Sequence, residues 1–166
     1  MAGDSPMRRM NLRITRAEPI ATSPEIADME CRLQVAALCW RYAPAPEVLL
    51  VTSLRTRRWI LPKGWPLDGK TLAEAAATEA HEEAGLRGEI WPTPLGEYHY
   101  LKEKGGVGYP CRVQVFPLLV TAADNDFAES GQRKQLWLPF EQASRRVAEH
   151  GLRKLILKFR KLQEAA

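Results

Sequence analysis

Glu79, Glu82 and Glu83 are the residues whose type and spacing could do chemistry. On a helix advancing ~100° per residue, Glu83 falls about 40° from Glu79 and Glu82 about 60° from it, so the three carboxylates share one side. Left alone, the arrangement is poor: like charges three and four positions apart repel by roughly 0.2 to 0.5 kcal/mol per pair, and acids in a final turn oppose the helix dipole by ~0.3 to 1 kcal/mol. A hard divalent cation such as Mg²⁺ or Mn²⁺ takes oxygen ligands and turns that crowding into an advantage. From the helix alone, a solvated acidic face accounts for the cluster equally well.

The surroundings shift the balance. Five alanines, Ala73, Ala75, Ala76, Ala77 and Ala80, interleave with the acids and make a slim helix that can be covered on several sides. Just before it comes Gly64, where the missing side chain lets backbone approach a ligand. Around that glycine lie Arg55, Arg57, Arg58, Lys63 and Lys70. Acids to hold a metal and bases to hold phosphates are thus close in sequence. For Lys63, beside Gly64, phosphate contact is the better reading, whereas a solvated turn explains Arg57 and Arg58 as well as substrate contact does.

The elements that must position these residues can be read along the chain. Residues 1 to about 30 show no sustained period and are expected to form a partly ordered arm preceding one domain over residues 31–166. Gln34–Arg41 and Val48–Ser53 predict a strand pair joined through Ala43-Pro44-Ala45-Pro46, and Trp59–Leu61 a third short strand ended by Pro62. Lys63–Lys70 reads as loop. Thr71-Leu72-Ala73-Glu74 is a capping-box pattern that opens a helix over Leu72–Ala84, with Gly85 as its stop. Leu95–Lys102 and Tyr109–Thr121 predict a hairpin through Gly105-Gly106-Val107-Gly108, followed by a loop and a short strand over Gln135–Leu138. The end is helical, from Phe140 to Glu149 and from Leu152 to Gln163, with a break expected at Gly151. Strands interleaved with few helices predict an α+β fold, an α/β/α sandwich with a mixed β-sheet.

Composition excludes several classes. The chain has 166 residues and a formal net charge of +4, a mild balance that suits a small polyanionic ligand without the concentrated basic blocks of many nucleic-acid binders. Cys31, Cys39 and Cys111 are odd in number and lack C-x-x-C spacing, so neither a disulfide scaffold nor a zinc site is expected. No segment approaches the roughly 18 apolar residues of a membrane span, and a soluble cytoplasmic protein is expected. His81, His99 and His150 are scattered without ligand spacing and read as structural. The basic C-terminal run of Arg153, Lys154, Lys158, Arg160 and Lys161 reads as the solvated face of an amphipathic helix.

Residues Gly64–Leu86 resemble the Nudix box: Gly, five residues, Glu, seven residues, Arg-Glu, an aliphatic, any residue, Glu-Glu, any residue, Gly, aliphatic. Gly64, Glu79, Ala80, Glu82, Glu83, Gly85 and Leu86 match in register. The resemblance extends from about Arg32 to Leu162. Two positions depart from it: Lys70 stands where Glu is usual, and Thr78 where Arg is usual. In the family that Arg helps to orient the neighbouring acids. Lys70 restores the missing positive charge in one reading, and activity has decayed in the other. Because all three acids stay in register, an active enzyme is expected.

Trp59-Ile60-Leu61-Pro62-Lys63-Gly64-Trp65 resembles the Nudix branch that includes diphosphoinositol polyphosphate phosphohydrolases and diadenosine polyphosphate hydrolases. That resemblance implies cleavage of a phosphoanhydride bond in a small phosphorylated metabolite. It places Gly64, Glu79, Glu82 and Glu83 around Mg²⁺ or Mn²⁺, and Arg55 and Lys63 on substrate phosphates with Ser53 nearby; Arg58 and Lys70 extend the same positive group. Glu82 or Glu129 is the candidate general base, although Glu129 also reads as an ordinary loop acid. Trp65 shields the site or stacks on a base. The rival readings are a catalytically weakened polyphosphate sensor, motivated by Thr78 and Lys70, and an RNA-end pyrophosphohydrolase, which needs a longer basic groove.

Overall fold

The computed structural model describes residues 30–166, so the expected N-terminal arm lies outside the described residues. Its strands are β1 (Arg32–Tyr42), β2 (Pro46–Thr52), β3 (Trp59–Ile60), β4 (Lys63–Gly64), β5 (Leu86–Ile90), β6 (Gly96–Lys104), β7 (Val107–Ala123) and β8 (Gln135–Pro139). Its helices are α1 (Leu72–Ala84), α2 (Phe140–Arg146) and α3 (His150–Glu164). All the strands join one mixed sheet with the spine β3-β2-β1-β7-β5; β8 pairs with β2, β6 with β7 and β4 with β1. The β1–β7 pairing is parallel and the others are antiparallel.

Alternation along β1 explains the layers. Ala36, Leu38 and Trp40 face one way, into a core shared with Phe140, Leu152, Ile156 and Phe159 of α2 and α3. Val35, Ala37 and Cys39 face the other way, onto α1. A central strand covered on both faces must be apolar at nearly every position, and Val35–Trp40 is buried throughout. Phe159 anchors the first core, with its ring 5.4 to 5.7 Å from those of Trp40, Trp91 and Phe140. Ala75, Ala76 and Ala80 are wholly buried, which lets α1 lie close on the sheet. The result is the expected α/β/α sandwich.

Local chemistry sets the ends of α1 where the sequence placed them. Thr71 accepts from the Glu74 amide, and Glu74 accepts from the Thr71 amide, satisfying donors the first turn leaves free. Gly85 closes the helix at φ 70°, a left-handed conformation that favours glycine.

Four expectations need correction. Lys63 and Gly64 form a strand rather than loop, because β1 offers them an antiparallel partner at Ala36 and Val35. Leu86–Ile90, unread in the sequence because only its ends are apolar, is an outer strand on β7 with a bulge at Arg87/Gly88. The hairpin turn is the pair Gly105-Gly106, both at positive φ, and Val107 and Gly108 already belong to β7. The last break falls between Arg146 and His150, not at Gly151. Gly151 lies inside α3, where any Cβ would press on Tyr98; here glycine gives close helix–hairpin packing instead of a stop.

None of the described helices is long and apolar enough to cross a membrane. The three cysteines are free thiols, Cys39 and Cys111 buried and Cys31 exposed. Thr71→Ala is expected to lower unfolding free energy by about 1 kcal/mol, read from the urea midpoint at unchanged slope.

Candidate active site

Because β4 is pinned to β1, Lys63 and Gly64 sit beneath the second half of α1. A Cβ at Gly64 would overlap the Glu79 carboxylate, so only glycine leaves that acid its place. One turn on, Glu83 is buried; its Oε2 accepts from the Lys63 amide at 3.3 Å, and its Oε1 accepts from Arg133 Nη2 at 3.1 Å. Arg133 continues from Nε to Glu129 Oε2 at 2.9 Å and from Nη1 to the Thr52 carbonyl at 3.0 Å. One buried guanidinium therefore ties together two acids and the end of β2.

The loop carrying Glu129 is fastened to the end of α1. The Asp124 amide donates to the Gly85 carbonyl at 2.8 Å, and the Glu129 amide donates to the Glu82 carbonyl at 2.9 Å. This brings Glu129, distant in sequence, to the box acids. Glu82 has an exposed side chain, but its charge adds to the field on Glu79. His81 pairs with Asp124 at 2.9 Å on the far side of that helix end.

The acids feel one another. Burial pushes the Glu83 carboxyl up to about 8, Glu79 and Glu129 add to the rise, and Arg133 opposes it. Glu79 is raised by burial, then by Glu82 and Glu129. Lys63 moves the opposite way, down to about 8, because burial and Lys102 outweigh the pull of Glu83. Among the described residues, no three acid, histidine or cysteine side chains converge closely enough to hold a metal as they stand. Glu83 and Glu129 are instead directed onto Arg133.

Opposite the acids, an open cleft of about 650 Å³ is walled by Gly64, Lys63, Glu79, Glu83 and Arg133 on one side and by the turn after β2 on the other. Ser53, Arg55 and Arg58, expected from the sequence to lie near substrate phosphates, line it. The Ser53 hydroxyl lies 2.6 Å from that of Thr56 and accepts from the Arg58 amide at 3.2 Å, so it shapes the turn. Arg57 is bound to the Gln132 carbonyl at 2.8 Å, a structural role. Arg55 and Arg58 have only loose partners, Glu103 and Glu149, each at 3.8 Å.

Lys70 does not line the cleft; its Nζ donates to Thr78 Oγ1 at 3.0 Å on the outside of α1. The expectation that it binds substrate is corrected accordingly, because the short span from Lys70 into the helix directs its side chain up the exposed face. Glu82 and Glu129 likewise lie beside the cleft wall rather than in it.

Sequence reasoning missed Gln34, Tyr100, Lys102, Arg133 and Glu149, all of which line the cleft. Lys63 Nζ donates to the Tyr100 hydroxyl at 2.9 Å, which donates to Gln34 Oε1 at 2.5 Å, fixing the amine from behind. Lys102 lies 4.9 Å from the centre of the Trp65 ring. Arg133 pairs with Glu129 four residues before it, but both lie in a loop, where that spacing carries no helical pairing rule, so the sequence offered no signal for it.

The model of the NUDIX domain matches residues 32–159. The chain belongs to the NUDIX family. It is 35% identical over 101 residues to Nudix hydrolase 12, mitochondrial, of Arabidopsis thaliana, covering 58% of this chain and 50% of that protein. It is 34% identical over 113 residues to diphosphoinositol polyphosphate phosphohydrolase 3-alpha of Mus musculus, covering 66% and 65% respectively. The chain thus spans about half to two thirds of the length of these curated relatives. Among solved structures, an Ap4A hydrolase of C. elegans superposes with a TM-score of 0.58 at 20% identity over 81% of this chain and 99% of that one. A MutT protein from Methanosarcina mazei Go1 gives 0.62 at 20% identity over 82% and 97%. At these identities the structures show the shared NUDIX fold.

Arg133→Met should lower unfolding free energy, and more so above about pH 8, because below that Glu83 can take up a proton instead of staying a buried charge without its countercharge. Combining it with Glu83→Gln should restore part of that loss, as a urea double-mutant cycle would measure.

Proposed function

We propose that this NUDIX protein is a metal-dependent hydrolase that cleaves a phosphoanhydride bond in a phosphate-rich small molecule, such as a dinucleoside polyphosphate or a diphosphoinositol polyphosphate. The observation that carries this reading is the seating of Glu79 and Glu83 on the Gly64 and Lys63 backbone, at the wall of a cleft whose other side is cationic.

The donor chemistry of these residues suits a divalent cation, although the Glu79, Glu82 and Glu83 side chains would have to turn toward one another to share it. The donors are hard carboxylate oxygens, and burial first and neighbouring acids second raise the pKa of the Glu79 and Glu83 carboxyls. That energetic cost falls when a cation shares their charge. Glu79, Glu82, Glu83 and the Gly64 carbonyl would hold Mg²⁺ or Mn²⁺. When bound, such an ion polarises phosphorus, lowers the pKa of a coordinated water and neutralises charge on the leaving phosphate.

The chain's own residues do the rest. Lys63, backed by Tyr100 and Gln34, presents a positive charge beside Gly64 where a substrate phosphate would lie. Arg55 and Arg58 are loosely paired and available to further phosphates. Glu129, joined to Glu83 through Arg133, is the acid outside the box and the candidate general base, a role for which its carboxylate would have to be freed from Arg133. The amine that Lys70 brings to Thr78 returns positive charge to the box position where the family has Arg, which favours an active enzyme over a sensor.

With Mg²⁺, purified protein should split diadenosine polyphosphates into two mononucleotides or release phosphate from diphosphoinositol phosphates, and EDTA should abolish either reaction. Glu83→Gln should reduce kcat by about a hundredfold or more while keeping the native circular dichroism spectrum. Metal-independent hydrolysis, or full activity in Glu83→Gln, would count against this mechanism. Binding without turnover in the wild type would favour the sensor.

A further inference from the structure

Glu149 stands apart from the other charged groups of the cleft. It immediately precedes α3 but makes no side-chain cap to that helix. Its side chain is 11% exposed; Oε1 lies 3.8 Å from Arg58 Nη1, beyond hydrogen-bond distance, and Oε2 is shielded from solvent without a partner. A screened carboxylate oxygen with no donor is unfavourable unless something supplies one. Glu149 forms part of the cleft wall, so a ligand can do so.

The rim adds an independent observation. Of the seven large hydrophobic residues exposed among the described residues, four, Leu54, Trp65, Leu67 and Leu101, line this one cleft. A ligand made only of phosphates on a small ring gains nothing from such a rim. A flat apolar group does.

Resting on the function proposed above, we propose that Glu149 is the specificity-determining residue of the cleft. Its carboxylate accepts a hydrogen bond from a hydroxyl or amino donor on the group joined to the phosphoanhydride, and its negative charge rejects ligands that bring another phosphate to that place. With phosphates toward Lys63 and Arg55 and an apolar face on the rim, the favoured ligand is a nucleoside polyphosphate. A ring phosphorylated on every oxygen is disfavoured.

Calorimetric binding in EDTA separates this from catalysis, with diadenosine pentaphosphate and inositol hexakisphosphate as probes. The wild type should bind the dinucleotide about tenfold tighter or more, although the hexakisphosphate is the more compactly charged. Glu149→Gln keeps the shape and removes the charge, so it should narrow that preference by about tenfold, the size of a charge-assisted hydrogen bond. Arg58→Ala should weaken both ligands in parallel. A wild-type preference for the hexakisphosphate overturns the inference. So does a Glu149→Gln protein in which both constants move together, the behaviour of a residue that only holds Arg58. If both probes bind and phosphoanhydride hydrolysis remains metal-dependent, such a result removes the role of Glu149 alone. If neither binds and no hydrolysis occurs, the hydrolase reading falls with it.

Discussion

The buried Glu83 carboxylate is the constraint on which the rest of the site depends. It is held by the Lys63 amide on one side and the Arg133 guanidinium on the other, within a field made worse by Glu79 and Glu129. Each of its supports belongs to a different part of the chain. The Lys63 amide is fixed because β4 is paired to β1, and Arg133 because its loop is bonded to the end of α1 and to Thr52. Placing one acid thus organises a strand, a helix and a loop. The slim alanine face of α1 lets these come close enough to matter.

Hydrogen-bond distance divides the cations around the cleft into two groups. Arg57 and Arg133 are engaged at 2.8 to 3.1 Å with carbonyls or carboxylates, and they serve the architecture. Arg55 and Arg58 face carboxylates at 3.8 Å, loose pairings open to exchange for a ligand anion; the Arg55–Glu103 pair is exposed and worth little, whereas Arg58 faces the largely buried Glu149. Lys63 stands between the groups, fixed by Tyr100 yet directed into the cleft. Its lowered pKa follows from burial beside another cation, and a phosphate at that place would favour its charged form.

The two departures from the family box become intelligible together. Lys70 and Thr78 are eight positions apart, and nothing in the linear order says whether they meet. They do: the amine reaches the hydroxyl at 3.0 Å, while that hydroxyl donates to the Glu74 carbonyl one turn back. The positive charge is retained outside the helix at the cost of reach, since Lys70 no longer faces the cleft.

By itself, the sequence determined α1 and its acids. Capping by Thr71 and Glu74, the left-handed stop at Gly85 and the wheel positions of Glu79, Glu82 and Glu83 are local matters, governed by a few neighbouring residues. So was the strand-rich order with two faces, because alternation and apolar runs record burial directly. Tertiary structure alone decided that Lys63-Gly64 is a strand, since two residues form one only when a partner such as Val35-Ala36 is available. It also decided that Arg133, Tyr100, Gln34 and Glu149 join the site, and that Lys70 leaves it. Those outcomes rest on bonds between groups tens of residues apart, whose distances are fixed only once the two cores have closed.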